Sequence, residues 1–447
     1  MKKRYLYFFS ILFFFTATGF IILRYQNKER NKEAAFYLLK ERNGILINNA
    51  EWVSVKNTAA DLMKTVRINP EDVKANIALA TLYIQEGRIT GDYMYYDAAA
   101  MKYVNDVLKI DSKNFTALSL KSLIQLSQHH FSEGLETAKE AQKINPHNAF
   151  IYGIMVDAYV EMGNYEEAVI NSDKMVSIRP DIRSYSRISY LREIHGDYPG
   201  AIEAMKMAVD AGPAGDETTA WARVQLGQLF EYTGDLPAAE MHYTIALENR
   251  SGYAYALAGL ARIATSKKDY PKAITFYEKA SKAVVDYSFK DELVYLYRIT
   301  GDRIKADAVA SEIINTMRMN AEAGNNDETL GHYSDRELAY AYLKINNTKK
   351  ALEHALAEYN RRPDNIDVNE ALAWVHYKRG AYDKALPYIK TALRTGSKNP
   401  VLLSRAGLIL KKTSEKTSAK KHLEEAFKNQ PHFDPELKME VEKSLGS

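Results

Sequence analysis

The chain contains no cysteine. That absence excludes a disulfide framework, a zinc–thiolate centre, a cysteine nucleophile and a lipid-modified N-terminal cysteine together. It also fits an oxidising compartment, where unpaired thiols are hazards. Glycine (22) and proline (12) are scarce for 447 residues, which leaves little room for long loops. There is no excess of either charge: Lys plus Arg is 60, Asp plus Glu is 57, and the net charge is +3. That balance argues against a dedicated nucleic-acid binder, which carries a basic surplus. Apolar residues at 46% and charged residues at 26% exclude wholesale disorder.

Catalytic motifs are also missing. Spaced metal ligands, a phosphate-binding loop and a nucleophile elbow do not occur. His129-His130 is an adjacent pair whose side chains would diverge by about 100° on a helix, and it reads as a polar turn. His195-Gly196-Asp197 falls where neighbouring segments carry Gly163-Asn164 and Gly234-Asp235, so its position explains it as a turn too. Gly212-Pro213-Ala214-Gly215 lacks the strand, helix and lysine context of a phosphate loop. No catalytic, cofactor-binding or metal-binding residue is therefore expected, and the chain does not read as an enzyme.

One long hydrophobic run is present. After Lys2, Lys3 and Arg4, the nineteen residues Tyr5 to Leu23 carry no charge and hold six of the 15 phenylalanines. As a helix this run spans roughly 28 Å, close to the hydrocarbon thickness of a bilayer. It is expected to be an uncleaved N-terminal anchor occupying residues 1–24. The competing reading is a cleaved signal peptide ending near Ala17-Thr18-Gly19, beyond which Phe20-Ile21-Ile22-Leu23 continues the apolar run. Basic residues flank both ends (Arg24, Lys28, Arg30 and Lys32 on the far side), so the positive-inside count does not orient it. The missing cysteines favour export of the bulk of the chain.

Beyond this run the chain repeats itself. Pro146 and Pro180 lie 34 residues apart, and Pro363 and Pro431 lie twice that distance apart. Ala246 and Ala280, like Ala392 and Ala426, have the same period. Two amphipathic segments per period are the signature of a helix–turn–helix solenoid. The clearest unit runs from Ala149 to Ile182. Tyr152, Met155, Val156, Ala158 and Tyr159 share one helical face, and Gly163-Asn164 ends that helix. Tyr165, Ala168, Val169 and Met175 follow on the second helix, with Ala168 where two helices must approach closely.

These residues resemble the tetratricopeptide repeat (TPR), whose pattern is W-x2-L-G-x2-Y…A-x3-F…A…P. The match is fullest at Leu226-Gly227 with Phe230, Gly234 and Ala239; at Ala339 with Tyr342, Ala351 and Pro363; and at Leu372-Ala373 with Gly380, Ala385 and Ala392. The expected fold is all-α: a right-handed superhelical solenoid of stacked TPR repeats behind one transmembrane helix. Residues 25–72 form a juxtamembrane helix and a degenerate first repeat, and 73–433 an array of about ten repeats. Residues 434–447 form a capping helix with an apolar stripe of Leu437, Val441 and Leu445. Insertions are expected at Ile89–Tyr96, at Ala214–Thr219 and around Met319–Gly331, with Gly324-Asn325-Asn326-Asp327 as a loop.

The resemblance also implies a function. In a TPR array the first helix of each pair lines a concave groove. Carrying that phase over gives Arg187, Tyr190, Trp221, Gln225, Gln228, Tyr232, Tyr255 and Arg262 as groove residues. Asp291, Glu292, Tyr295, Arg298, Arg336, Glu337, Tyr340, Trp374, Tyr377 and Lys378 continue it. Tyrosine, tryptophan and arginine are the types enriched in binding hot spots. The expected role is a membrane-tethered scaffold that binds protein or peptide partners through this groove. The alternative is a structural or regulatory subunit that uses its convex face and insertions. Ligand acids would pair with Arg262 and Arg298, and truncating Trp221 or Arg262 would leave stability nearly unchanged. The Lys/Asn carboxylate clamp of some TPR domains is not reproduced. Nucleic acid is not expected, since Asp291, Glu292 and Glu337 would repel phosphates.

Overall fold

The computed structural model describes residues 36–48, 50–326, 332–428 and 435–446. The anchor expected at Tyr5–Leu23 lies outside the described residues. Among those described, no helix is long and apolar enough to cross a membrane. The chain divides into a unit of residues 1–41 and a unit of residues 42–447, and the second holds the whole repeat array.

Among the described residues there are 22 α-helices and no strand. Helix α1 (Ala50–Ile68) covers most of the stretch expected to hold the degenerate first repeat and packs against the helix that follows it. Ten hairpins come after it. They pair α2 (Val73–Thr90) with α3 (Tyr93–Ile110), α4 (Phe115–Ser127) with α5 (Phe131–Ile144), and α6 (Ala149–Glu161) with α7 (Tyr165–Ile178). Next come α8 (Ile182–Ile194) with α9 (Tyr198–Asp210), α10 (Glu217–Thr233) with α11 (Leu236–Asn249), and α12 (Ala254–Ser266) with α13 (Tyr270–Ala283). The last four are α14 (Tyr287–Ile299) with α15 (Arg303–Asn326), α16 (Asp335–Lys344) with α17 (Thr348–Arg361), α18 (Ile366–Lys378) with α19 (Tyr382–Ala392), and α20 (Pro400–Lys411) with α21 (Lys416–Phe427). Helix α22 (Pro435–Leu445) closes the end.

Local chemistry sets these boundaries. Asn114, Asn148, Asn365 and Asn399 accept backbone N–H groups at the starts of first helices. Asp197, Asp235 and Asp269 do the same for second helices, each with proline two residues on. The turn inside a hairpin needs one left-handed residue. Gly163 supplies it at φ +78°, and His129 takes the same place at φ 63°. Thus His129-His130 is a turn, as its position in the repeat implied. Close helix approach is made by small residues: Ala138, Ala168, Ala201, Ala239, Ala273, Ala306, Ala351 and Ala385 have no exposed surface.

Two expected loops are helical instead. Ile89–Tyr96 is no insertion loop; apart from the turn at Gly91-Asp92 it lengthens α2 and α3 to 18 residues each. Tyr83 stacks on Tyr96 and Tyr103 there, with ring centroids 5.9 and 5.8 Å apart, so the added turns carry their own aromatic core. Likewise Gly324-Asn325-Asn326 continue the 24-residue helix α15. Helix α22 packs Leu437 and Val441 into the core beside Leu402 and Leu423, while Leu445 stays 39% exposed.

Successive turns of the solenoid touch, which the repeat pattern does not foreshadow. Tyr165 Oη accepts the Ile366 N–H at 3.0 Å, 201 positions away, which is about six repeats. Asn365 Nδ2 donates to the Glu161 carbonyl at 3.0 Å, and Arg394 donates to the Gly163 carbonyl at 2.6 Å. Arg362 pairs with Glu161 and covers the Phe131 ring at 4.4 Å. Nearer the start, the Val285 N–H reaches the Thr90 carbonyl at 2.9 Å, and Arg250 pairs with Glu51 at 2.7 Å. A Cβ at Gly163 would sit 2.2 Å from the Asp364 carbonyl oxygen, so this seam requires glycine on steric as well as conformational grounds.

One buried acid makes a pH prediction. Asp97 on α3 is 3% exposed and accepts the Ser127 hydroxyl at 2.5 Å. Burial outweighs that hydrogen bond and pushes its carboxyl up to about 7. A raised folded-state value contributes stability present below the unfolded value and lost as pH rises through about 7. Asp97→Asn should therefore melt higher than the parent at pH 8, by no more than about 4 kcal/mol, with the advantage gone by pH 4. Paired thermal melts across that range measure it.

Candidate inner-wall site

The first helix of each hairpin presents one side to the inside of the coil, and the predicted groove residues divide there by how they are held. Arg187 on α8 is fixed by Asp157 and the Gly153 carbonyl, at 2.9 and 3.0 Å from Nε. Tyr190, one turn on, is 42% exposed. Its hydroxyl is nevertheless held well above the tyrosine range by desolvation, with the charges of Asp367, Glu161 and Glu193 adding to the effect. Asp367 belongs to α18, five hairpins further along, so its charge acts on Tyr190 from the other side of the seam.

On α10, Gln228 donates to the Tyr232 hydroxyl at 2.8 Å, and Gln225 is half-buried beside them. Trp221 packs against the core clusters on both sides of α10 rather than standing on the wall. Arg262 differs most from expectation. Its Nε donates to Glu231 at 2.9 Å and its Nη2 to the Tyr243 hydroxyl at 3.0 Å; Glu231 is only 3% exposed. Burial would weaken the Arg262 charge, but Glu231 and Tyr243 more than offset it. This residue is a strut between repeats, so the expectation that it awaits a ligand acid is corrected.

Tyr255 packs edge-on to Tyr253 and Phe289, both at 5.6 Å, and Tyr295 lies against the same core. Asp291 pairs with Lys344 at 2.9 Å, and Glu292 is close enough to raise the Tyr277 hydroxyl. Arg298 points instead toward Glu436 of α22, at 4.0 Å.

The C-terminal part of the wall is a continuous network. Arg336 pairs with Glu337 at 3.3 Å and with Asp367 at 3.5 Å. Burial would raise Glu337, but Arg336 and His129 bring it below its ordinary value. Arg405 Nη1 donates to Glu370 and to the Tyr340 hydroxyl, both at 2.7 Å, and lies over Tyr340 and Trp374. Trp374 stacks on Tyr377 at 4.9 Å, and Lys378 covers that pair while bonding Glu440 of α22 at 2.9 Å. Trp374 and Tyr377 are 6% and 7% exposed, so they are core residues with only an edge on the wall.

Glu193, Tyr198, Glu370 and Arg405 were missed from the sequence. Glu193 lies one turn after Tyr190 on the same helix face, so the helical period alone would have found it. No group of three metal-ligating side chains occurs among the described residues.

Family models of the tetratricopeptide repeat match residues 151–182, 224–284 and 336–400, so the chain carries TPR repeats. No curated protein sequence matches it. Among solved structures it is similar to a tetratricopeptide repeat protein from Parabacteroides merdae, at 15% identity and TM-score 0.42 over 54% of this chain and 91% of that one. It is also similar to a thermophilic TPR protein of Thermus thermophilus, at 19% identity and TM-score 0.36 over 46% and 98%. A human IFIT1 dimer with PPP-AAAA matches at 14% identity and TM-score 0.45 over 77% and 88%.

Proposed function

We propose that this chain is a membrane-tethered scaffold that binds a protein or peptide segment along the inner wall of its solenoid. The observation that carries the reading is Tyr190, a rigid ring left 42% exposed on a first helix, with Tyr232 and Tyr340 part-buried on other first helices. Tyrosine gives large contact area with few rotatable bonds and a polar tip, which suits recognition of an extended segment. Catalysis and nucleic-acid binding form no part of this reading; Glu161, Glu193 and Asp367 would repel a phosphate backbone.

Tyr190→Ala should weaken partner affinity by about 1–3 kcal/mol while the melting temperature holds, because the ring is not in the core. Affinity for a partner identified by crosslinking from intact membranes is the measurement, and unchanged affinity would exclude the inner wall as the binding surface. The tether is assigned to residues 5–23, with the bulk of the chain exported. Carbonate-resistant pelleting that is lost on deleting this run supports it; a mature N-terminus near residue 20 would overturn it.

A second reading rests on the outer face. A cleft of about 600 Å³ lies between α5, α6 and α7, lined by Gln142, Met155, Tyr159, Ile170 and Lys174. Ile170 is 60% exposed there. A regulatory subunit that docks by its convex side would use this cleft, and Ile170→Asp would then weaken binding where Tyr190→Ala does not.

A further inference from the structure

The wall is rich in arginine, and four of its arginines already have anions, while Arg183, one turn before Arg187, lies over the Phe150 ring. Arg187 holds Asp157, Arg262 holds Glu231, Arg336 holds Glu337 and Asp367, and Arg405 holds Glu370. The charge left over is negative. Among the described residues the Glu193 carboxylate has neither an ion-pair nor a hydrogen-bond partner. Beside it, Tyr198 is 7% exposed and its hydroxyl has no hydrogen-bond partner. The hydroxyls of Tyr190, Tyr198 and Tyr232 all feel the Glu193 charge, and the rings of Tyr198 and Tyr232 meet edge-on at 6.1 Å.

The repeat explains why no protein group fills this place. One repeat earlier, Tyr165 holds the position of Tyr198, and its hydroxyl takes the Ile366 N–H across the seam. The residue one repeat after Ile366 is Pro400, which has no N–H to give.

We propose that the partner segment carries a lysine or arginine whose cation seats against Glu193 among the rings of Tyr190, Tyr198 and Tyr232. This ligand chemistry rests on the inner-wall reading above and adds the identity of the group recognised there. An unpaired carboxylate in a sheltered site is costly, and a cation removes that cost while gaining attraction from the ring faces. Burial, with the charge of Asp367 nearby, pushes Glu193 up to about 7, and a seated cation would bring it back down. An acidic segment would meet Glu193, Asp367 and Glu161 together and be repelled.

The test is selection from a randomised dodecapeptide display library on the full chain in detergent, followed by affinity measurement on the selected peptides. Selected peptides should carry lysine or arginine, and replacing that residue by norleucine should weaken binding about tenfold. In Glu193→Gln the norleucine penalty should vanish, with the melting temperature no lower than the parent's, because no internal partner is lost and a costly carboxylate is removed. Peptides selected without a cation, or a penalty that persists in Glu193→Gln, would overturn the proposal. If such peptides still lose affinity on Tyr190→Ala, the inner-wall reading survives that failure. If no peptide is selected, or none depends on Tyr190, both fall.

Discussion

Replacing Arg362 with alanine is expected to remove about 1.5–3 kcal/mol of unfolding free energy, through the charged hydrogen bonds it makes across the seam between turns. Arg362 is 4% exposed. It bonds Glu358 within its own helix end, reaches across the seam to Glu161, and covers Phe131. Glu358 keeps Arg361 when Arg362 is lost, but Glu161 does not keep a partner there. Burial already raises the Glu161 carboxyl, and Arg362 is the main charge opposing that rise. Alanine would therefore open the contact between turns and remove the cover from Phe131, while Glu161, with its side chain 37% exposed, turns to water. Arg187→Ala is the control: the Arg187 side chain is 21% exposed against 5% for Arg362, and it bridges only neighbouring hairpins, so its loss should cost under about 1 kcal/mol. Urea unfolding of the two variants side by side distinguishes them. A small, equal loss in both would mean that the turns are not held together by these bonds.

Arg262→Ala is expected to cost a similar amount for a different reason. It leaves Glu231 buried without its cation and takes a donor from Tyr243. The cost belongs to the stranded charge rather than to the bond, because a buried pair contributes little net energy over an apolar substitute. A double replacement, Arg262→Met with Glu231→Leu, should therefore recover most of the stability that Arg262→Ala loses. If the double variant is as unstable as the single one, the pair is doing more than neutralising itself. Affinity for a partner should follow folding in both variants, with no separate loss.

The repeat itself was legible because its chemistry is local. Ala168, Gly163 and the proline-marked ends of units each satisfy a constraint set within one hairpin, and all three recur at a fixed spacing. The first helix of each unit was legible as a wall for the same reason. The seam was not, because Tyr165 and Ile366 are 201 residues apart and neither changes the local pattern. Periodicity describes how one unit stacks on the next; it carries no information about the pitch that brings a later turn onto an earlier one. The charge assignment at Arg262 failed on similar grounds. A groove position fixes where a side chain starts, while its partner comes from a neighbouring repeat or from α22. Length variation misled in one direction only: the extra residues at Ile89–Tyr96 and Gly324–Asn326 prolong helices, with the hydrogen-bond ladder broken only at Gly91-Asp92.

The most direct measurement places a photo-activatable residue at one of two positions in the full chain within native membranes, Tyr190 inside the coil or Ile170 in the outer cleft. If the inner wall binds the partner, the residue at position 190 forms an adduct with a partner segment and position 170 forms none. That adduct should be lost when an excess of selected cationic peptide is present. A partner captured at position 170, with none at 190, would contradict binding along the inner wall.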